Sequence, residues 1–314
     1  MRVGAGFLTY QQGVAADGDF ERIMARRAGE AGFHAVWFSE HHFAPDGYLP
    51  SAVPAMADVL ARTNRIGVGV GVALLPFHDI PRLDAGLRGL ERFGRPVVYA
   101  AAVGYRDEEF DGFGVRRRDR GRLFEARLGE LVTRLRARNS AVELWVGAVA
   151  GAAVDRAARF GLPVLFPPGS SPEELRRRIQ RYRSVAGRPG AFGVVRDVVL
   201  GGERPSDVEE TVERLVVPMY RDYLHRMVVS TPHGPRWGEA LGSADTAAYY
   251  ARMRATMLAG EGPVVETELD RLDALGIDLV VLRCWYPGSS RDEGLRALDR
   301  LTSAVAPRLA QGRS

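Results

Sequence analysis

The feature that most constrains this chain is a repeated alternation of short apolar segments with longer amphipathic ones. Segments 66–74 and 97–103 are apolar on both faces, which is typical of buried parallel strands, whereas 20–31 and 122–138 place apolar residues at helical spacing. About eight such pairs follow one another without a linker or an internal repeat. The alternation predicts an α/β fold, a single (β/α)8 TIM barrel over residues 1–314. An open, doubly wound sheet is the alternative.

The predicted strands are short, and the last of them follows an irregular stretch. They cover residues 3–7, 35–39, 66–74, 97–103, 143–148, 164–166, 192–200 and 279–283. Residues 218–262 carry aromatic residues such as Tyr220 and Tyr249 in no strict period, which predicts an insertion that packs through them. Glycines alternate through the third strand without the spacing of a dinucleotide-binding turn. Inside a barrel they would relieve crowding or let a flat group approach the backbone.

The composition argues against several kinds of partner. All 43 positively charged residues other than histidine are Arg, and the net charge is only +4. The densest basic cluster, 116–122, is interrupted by Asp119, which predicts a solvated loop more than a nucleic-acid surface. The chain has one cysteine and no apolar run near the ~20 residues that a membrane helix needs. We therefore predict a cytoplasmic protein with no nucleic-acid or membrane partner.

Polar residues follow the second predicted strand at the point where it ends. After the apolar run 35–38 and Ser39 come Glu40, His41 and His42, and Phe43 follows them. The carboxyl ends of barrel strands are where such folds place their chemistry. Imidazole groups can also exchange protons near neutral pH. We therefore predict Glu40, His41 and His42 as catalytic residues.

Several segments resemble the bacterial luciferase-like superfamily of flavin-dependent monooxygenases. Residues 37–43, which end in Glu-His-His-Phe, are similar to the signature at the end of its second strand. Segments 75–79, 104–114, 145–161 and 280–288 resemble later parts of the same barrel, so the likeness covers nearly the whole chain. Of these, 104–114 begins a predicted long loop and resembles the family's loop after strand four. The resemblance implies an enzyme that receives FMNH2 from a separate flavin reductase. With O2, such an enzyme oxidises a small apolar or aromatic organic substrate, here in secondary metabolism.

The resemblance also assigns roles to individual residues, and His41 matches the family's catalytic histidine. It implies a flavin site at the ends of strands three to five, formed by Ala73, Ala102, Val103, Gly104, Gly147, Ala148 and Gly151. It implies substrate contacts from Phe7, His78, Cys284 and Trp285. A homodimer is implied as well, with a contact on the helix after Pro50 that would involve Ala52, Val53, Ala55, Met56 and Val59.

The sequence departs from the family where the flavin phosphate is expected. Val103 stands where many members carry Arg, and residues 147–153 contain no Ser or Thr. Backbone N–H groups at the helix start near Gly151 are the donors that are left. Charge-assisted contacts typically contribute ~1.5–3 kcal/mol each. We therefore predict weak FMN binding that favours the reduced form, or no flavin at all.

These departures leave alternatives open. A luciferase-like homologue could act without flavin, or as a non-catalytic binding or partner subunit. The deazaflavin F420 could replace FMN. A metal-dependent hydrolase could use His41, His42, His78 and Asp79, but neighbouring histidines in a strand point apart, and we expect no metal.

Overall fold

The computed structural model describes residues 1–9, 19–201, 205–225, 228–231, 234–237 and 242–311. Its strands are β1 Arg2–Leu8, β2 Ala35–Phe38, β3 Gly67–Leu74, β4 Val97–Ala102, β5 Glu143–Gly147, β6 Val164–Phe166, β7 Phe192–Leu200, β8 Val228–Thr231, β9 Gly234–Trp237, β10 Leu258–Gly260 and β11 Leu279–Arg283. Strands β1 to β7 pair in parallel in chain order, and β11 pairs with both β7 and β1. The ring is therefore closed. The predicted (β/α)8 barrel is confirmed, and the open sheet is wrong.

Helices follow the barrel strands and cover their outer face. They are α1 Phe20–Ala31, α2 Ala52–Arg62, α3 Ile80–Glu91, α4 Asp107–Gly112, α5 Arg120–Ala137, α6 Gly151–Phe160, α7 Pro172–Ala186, α8 Pro205–Thr211, α9 Val217–His225, α10 Ser243–Ala255, α11 Gly262–Ala274 and α12 Arg291–Gln311. The short helix α4 lies in a segment that the sequence predicted as loop. Its first turn carries Asp107, Glu108 and Glu109, and negative charge is favourable at a helix N-terminus.

The insertion lies between β7 and α11 and begins earlier than the predicted residue 218. It contains α8, a π-helical turn over Val212–Val216, α9, the antiparallel β8–β9 hairpin, α10 and β10. Strand β10 pairs with the second half of β7, at Val198 to Leu200. An apolar cluster that includes Val199, Val216, Tyr249 and Tyr286 joins the insertion to the carboxyl ends of β7 and β11.

The barrel interior is filled around the indole of Trp37, which is fully buried. A Cβ atom on Gly69 would lie 2.7 Å from the Trp37 ring, and one on Gly71 would lie 3.2 Å from it. Val98, Trp145 and other inward side chains pack around the same ring. The glycines of β3 therefore relieve crowding, as predicted, and the flat group beside them is the chain's own indole.

The apolar face of α2 is used within the chain. Ala52, Ala55, Met56 and Val59 are all buried against the barrel core, and Val53 packs against the same core. An amphipathic helix turns its apolar side inward, and these residues form that side. Burial within the chain argues against a dimer contact through Ala52, Ala55, Met56 and Val59, whereas Val53 is half-buried and its contact stays a prediction. Within the described ranges, no helix is long and apolar enough to cross a membrane.

Candidate active site

A buried carboxylate from α4 lies at the centre of the polar cluster beyond β2. Glu109 is fully buried, and its Oε1 accepts hydrogen bonds from His41 Nδ1 at 3.1 Å and from the His42 backbone N–H at 2.7 Å. Burial by itself would raise the pKa of Glu109, but the hydrogen bonds and charges of His41 and His42 outweigh it and lower the pKa to about 2. Glu109 is thus ionised at neutral pH. An ionised carboxylate can only accept, so the His41 proton lies on Nδ1.

The second ring nitrogen of His41 faces a tyrosine. The Tyr105 hydroxyl lies 3.3 Å from His41 Nε2. The Tyr105 and Tyr48 rings also pack edge-on against the imidazole, with centroids 5.5 and 4.9 Å away. With the proton on Nδ1, Nε2 is an acceptor for the tyrosine hydroxyl. Glu109, His41 and Tyr105 thus form a chain through which a proton can pass at the barrel rim.

Glu40 lies behind this rim, with hydrogen-bond donors at both of its oxygens. Its Oε1 accepts from the Leu74 N–H at 3.1 Å and from His78 Nε2 at 2.8 Å, and its Oε2 accepts from the Ala52 N–H at 3.2 Å. Burial would raise the pKa of Glu40, but the bond from His78 and the other donors outweigh it and lower the pKa. Glu40 therefore joins the ends of β2 and β3 to the start of α2. These contacts hold the Glu40 carboxylate in place, and its predicted catalytic role stays a prediction. The same contact turns the His78 ring toward Glu40, and the predicted substrate contact of His78 is also untested.

His42 lies on the other side of the Glu109 carboxylate, among aromatic rings. Its Nδ1 is 3.6 Å from Glu109 Oε1, and its ring packs edge-on against Phe113 at 4.8 Å and Phe77 at 5.8 Å. The prediction that the His41 and His42 rings point apart is wrong, because both residues lie beyond the end of β2, where strand alternation no longer applies. In the part of the chain that the structure describes, no group of three or more His, Cys, Asp or Glu side chains could hold a metal ion.

A second buried polar cluster lies on the opposite part of the rim. Arg283 at the end of β11 is in register with Asp197 of β7, and its Nε donates to Asp197 Oδ1. The Tyr220 hydroxyl of α9 donates to Asp197 Oδ2 and lies 3.0 Å from an Arg283 nitrogen. Burial, and then the Asp197 charge, raise the pKa of Tyr220 well above its ordinary value. Tyr220 therefore anchors the insertion to the barrel in addition to packing. The side chains at 222–241, which include Tyr223, His225, His233 and Trp237, lie outside the described residues.

The sequence match decides the family. The family model described as luciferase-like monooxygenase matches residues 2–267. The chain belongs to the luciferase-like monooxygenase family. The predicted resemblance is confirmed, and the predicted class, a flavin-dependent monooxygenase or oxidoreductase, agrees with it.

Individual relatives of this luciferase-like chain are distant. The alkanal monooxygenase alpha chain of Photorhabdus laumondii subsp. laumondii is 25% identical over 218 residues, which are 59% of this chain and 59% of that protein. The chain thus spans less than two thirds of the length of this curated relative. The crystal structure of the monooxygenase RslO1 from Streptomyces bottropensis has a TM-score of 0.79 at 19% identity, covering 98% of this chain and 99% of that one. The oxygenating constituent of 3,6-diketocamphane monooxygenase from Pseudomonas putida, solved with FMN, has a TM-score of 0.75 at 15% identity, covering 99% and 98%.

The small residues that the family resemblance assigned to the flavin differ in where they point. Three of them pack in the layer between the barrel and the helices: Ala73, Val103 and Ala148. Gly104 forms a turn with a φ of 77°, which glycine adopts at little cost. A Cβ atom on Gly147 would lie 2.5 Å from the Val72 side chain and 3.4 Å from Ala102. Packing therefore explains Gly147, and the outward residues do not face the barrel mouth.

The start of α6 carries a cation that the sequence analysis missed. Gly151 begins this helix, and its N-cap, Ala150, makes no side-chain capping bond. A Cβ atom on Gly151 would lie 3.1 Å from the guanidinium of Arg181, which comes from α7 and pairs with Asp155 through two 2.6 Å hydrogen bonds. The statement that no side-chain donor serves this helix start is therefore corrected. No local pattern reveals it, because only the packing of α7 on α6 brings Arg181 there.

The predicted substrate contacts separate into two environments. Phe7 packs in the barrel interior. Strand alternation turns Val281 of β11 inward and Cys284 outward, into the layer beneath the helices. Trp285 is 3% exposed and packs on Phe20 of α1, with ring centroids 5.5 Å apart. Cys284 and Trp285 therefore pack beneath the helices, and their predicted substrate contacts stay predictions. Burial raises the pKa of the Cys284 thiol to about 12.

Proposed function

We propose that this protein is an FMNH2-dependent monooxygenase that uses O2 to oxidise a small apolar or aromatic organic substrate, in secondary metabolism. The observation that carries the proposal is the Glu109–His41–Tyr105 chain at the rim of a luciferase-like barrel, in which Glu109 and His41 are buried and Tyr105 is half-buried. Such a chain can deliver and take back a proton beside a reacting oxygen. The aromatic side chains next to it, Phe77 and Phe113, favour an apolar or aromatic substrate.

The donor set at the rim fits a flavin mononucleotide. The N–H groups of Gly151 and Ala152, to which the helix itself offers no acceptor, and the Arg181 guanidinium beside Gly151 would hold its phosphate. When bound in the reduced form, the flavin supplies the electrons that activate O2. His41 would donate from or accept at Nε2, and the Glu109 carboxylate would keep the imidazole in the required tautomer. Arg181 also pairs with Asp155, so we propose that binding is weak.

The partners of this activity are part of the proposal. The reduced flavin would come from a separate reductase, as the family resemblance implies. A homodimer is proposed on the same ground, and its contact would use residues other than the buried face of α2. A cytoplasmic location is proposed from the composition, which includes one cysteine. Sedimentation at micromolar concentration tests the dimer, since a monomer alone would contradict it.

The proposal is tested by titrating the protein with FMN and with anaerobically reduced FMNH2. We expect FMNH2 to bind more tightly than FMN, and Arg181→Gln to weaken both about tenfold, since one charge-assisted contact contributes ~1.5–3 kcal/mol. Arg176→Gln, an exposed cation on the same helix, is the matched control and should change neither affinity. Tight binding of oxidised FMN would contradict the predicted weak site.

One observation favours a second candidate function. Val103 lies where many members place an arginine, and its side chain packs into the layer beneath the helices. A homologue that has no flavin, acting alone or as a partner subunit, would not need an arginine at this position. Absence of FMN and FMNH2 binding at ~1 mM, where a site worth ~4 kcal/mol is half filled, would favour it. Titration with F420 in the same assay tests the deazaflavin alternative.

A further inference from the structure

A cavity of about 300 Å³ lies on the outer side of the barrel wall. It is bordered by the second half of β7, by α8 and the π-helical turn, by the segment after β11 and by α12. The Glu109 cluster, in contrast, belongs to β2 and α4. A cavity of ~150 Å³ holds benzene, so this one could hold a ligand of roughly twice that size. It falls within the usual range of small-molecule sites.

The inner wall of the cavity is apolar. It is formed by side chains that include Val198, Leu200, Leu215, Cys284 and Ala297. Cys284 is only 6% exposed. A surface of this kind gains free energy when it contacts an apolar ligand and releases water. The wall therefore favours binding of a ligand that has a hydrocarbon part.

Among the residues that the structure describes, the rim of the cavity has two arginines and fewer carboxylates without an ion-pair partner of their own. Arg296 is exposed on α12 and has no ion pair within the described residues, and Arg300 donates to the Leu200 carbonyl at 3.0 Å. Glu293 lines the same rim, but its carboxylate accepts from Arg214 and from the Ser290 N–H. Asp207 is the other carboxylate that lines the cavity, so its negative charge offsets part of the positive charge of Arg296 and Arg300.

We propose that this cavity binds a small organic anion, a monocarboxylate with an apolar body of roughly eight carbons. Its carboxylate lies between Arg296 and Arg300, where a guanidinium can donate two parallel hydrogen bonds. Its apolar body lies against Leu215 and Cys284. The site is independent of the proposed flavin chemistry, because it uses other elements of the fold.

The experiment uses octanoate as the probe and the single cysteine as the reporter of position. Calorimetry measures octanoate binding. Intact mass measures the rate at which excess methyl methanethiosulfonate modifies Cys284 at mildly alkaline pH, where a fraction of a thiol with a pKa of about 12 is ionised. We expect octanoate to slow this modification at least tenfold, and 1-octanol to bind at least tenfold more weakly. Arg296→Gln should weaken octanoate binding about tenfold, or ~1.4 kcal/mol. Arg26→Gln, an exposed cation on α1, is the control and should leave binding unchanged.

A second variant locates the ligand. Ala297→Phe adds a ring that fills the cavity from α12, and circular dichroism reports whether the fold is kept. Octanoate binding should then disappear. The proposal is overturned if octanoate leaves Cys284 equally reactive, if the octanol and octanoate affinities are equal, or if Arg296→Gln binds as the unmodified protein does. Retained octanoate binding in a folded Ala297→Phe protein would equally refute it.

Discussion

Replacing Glu109 with Gln tests whether the buried carboxylate governs His41. The carboxylate accepts from His41 Nδ1 at 3.1 Å and leaves Nε2 to face Tyr105. A Gln side chain can present its NH2 group to Nδ1, which favours the other tautomer and puts a proton on Nε2. We expect turnover with reduced flavin and substrate to fall by ~10²-fold or more, the usual contribution of a positioned proton-transfer group.

The same substitution has a stability consequence whose size follows from the pKa. In the folded protein the pKa of Glu109 falls from 4.5 to about 2. At 1.36 kcal/mol per unit, this corresponds to ~3 kcal/mol. Because the folded-state pKa is lowered, the stabilisation is present above the unfolded pKa and is lost as the pH falls toward the folded value. Urea unfolding of Glu109→Gln should therefore be less sensitive to acid between pH 4.5 and about 2.

Asp111→Asn is the matched control, since its carboxylate lies on the same helix but is exposed. It should leave both turnover and the acid dependence of unfolding unchanged. A Glu109→Gln protein whose turnover stays within ~threefold of the unmodified protein would refute the tautomer argument. An unchanged acid dependence would show that Glu109 is not held ionised in the fold.

Three further substitutions probe other parts of the fold. His41→Ala should lower turnover by ~10²-fold and cost ~1–3 kcal/mol in urea unfolding, because a buried carboxylate loses a donor; normal turnover would remove His41 from the mechanism. Gly69→Ala should cost ~1–3 kcal/mol, since its Cβ would lie 2.7 Å from the Trp37 ring, whereas Gly89→Ala has open space and should not destabilise. Tyr220→Phe should cost ~1–3 kcal/mol by removing a donor to a buried carboxylate on β7, and an unchanged unfolding midpoint would contradict the anchoring role.

Much of the barrel could be predicted from local patterns. The bounds of β6, β7, β11 and α1 agree with the sequence prediction, because each apolar or amphipathic run ends at a turn residue or a change of polarity. The capping box at Ser171 also forms as its sequence predicts. Helices and strands with a local, periodic pattern of apolar residues can thus be predicted before the structure is known. The short helix α4 was missed, because six residues are too few to show a helical period.

The site could be predicted only in part, because its central contacts join distant segments. Glu40, His41 and His42 were found through their position after a strand, but their roles depend on partners that the chain order hides. Glu109 follows His41 by 68 residues, and Arg181 and Gly151 meet only when α7 packs on α6. Glu109 sits in a segment that resembles the family's strand-four loop, and that was the signal available for it. Without that resemblance, a carboxylate with three acidic neighbours is predicted to be an exposed surface residue.

The filled interior restricts where this barrel can carry out chemistry. Trp37 and Trp145 occupy the core, so reacting groups must lie beyond the strand ends. On the β7 and β11 side, that rim is held by the Asp197–Arg283 pair and the insertion. On the other side, His41 follows β2 and Arg181 lies over the helix that follows β5. A ligand held at both points crosses the ends of β3 and β4, three strand spacings or ~14 Å along the wall. Under the proposed function, an elongated cofactor with an anionic end would therefore lie along the rim between β2 and β5 and reach the His41 imidazole.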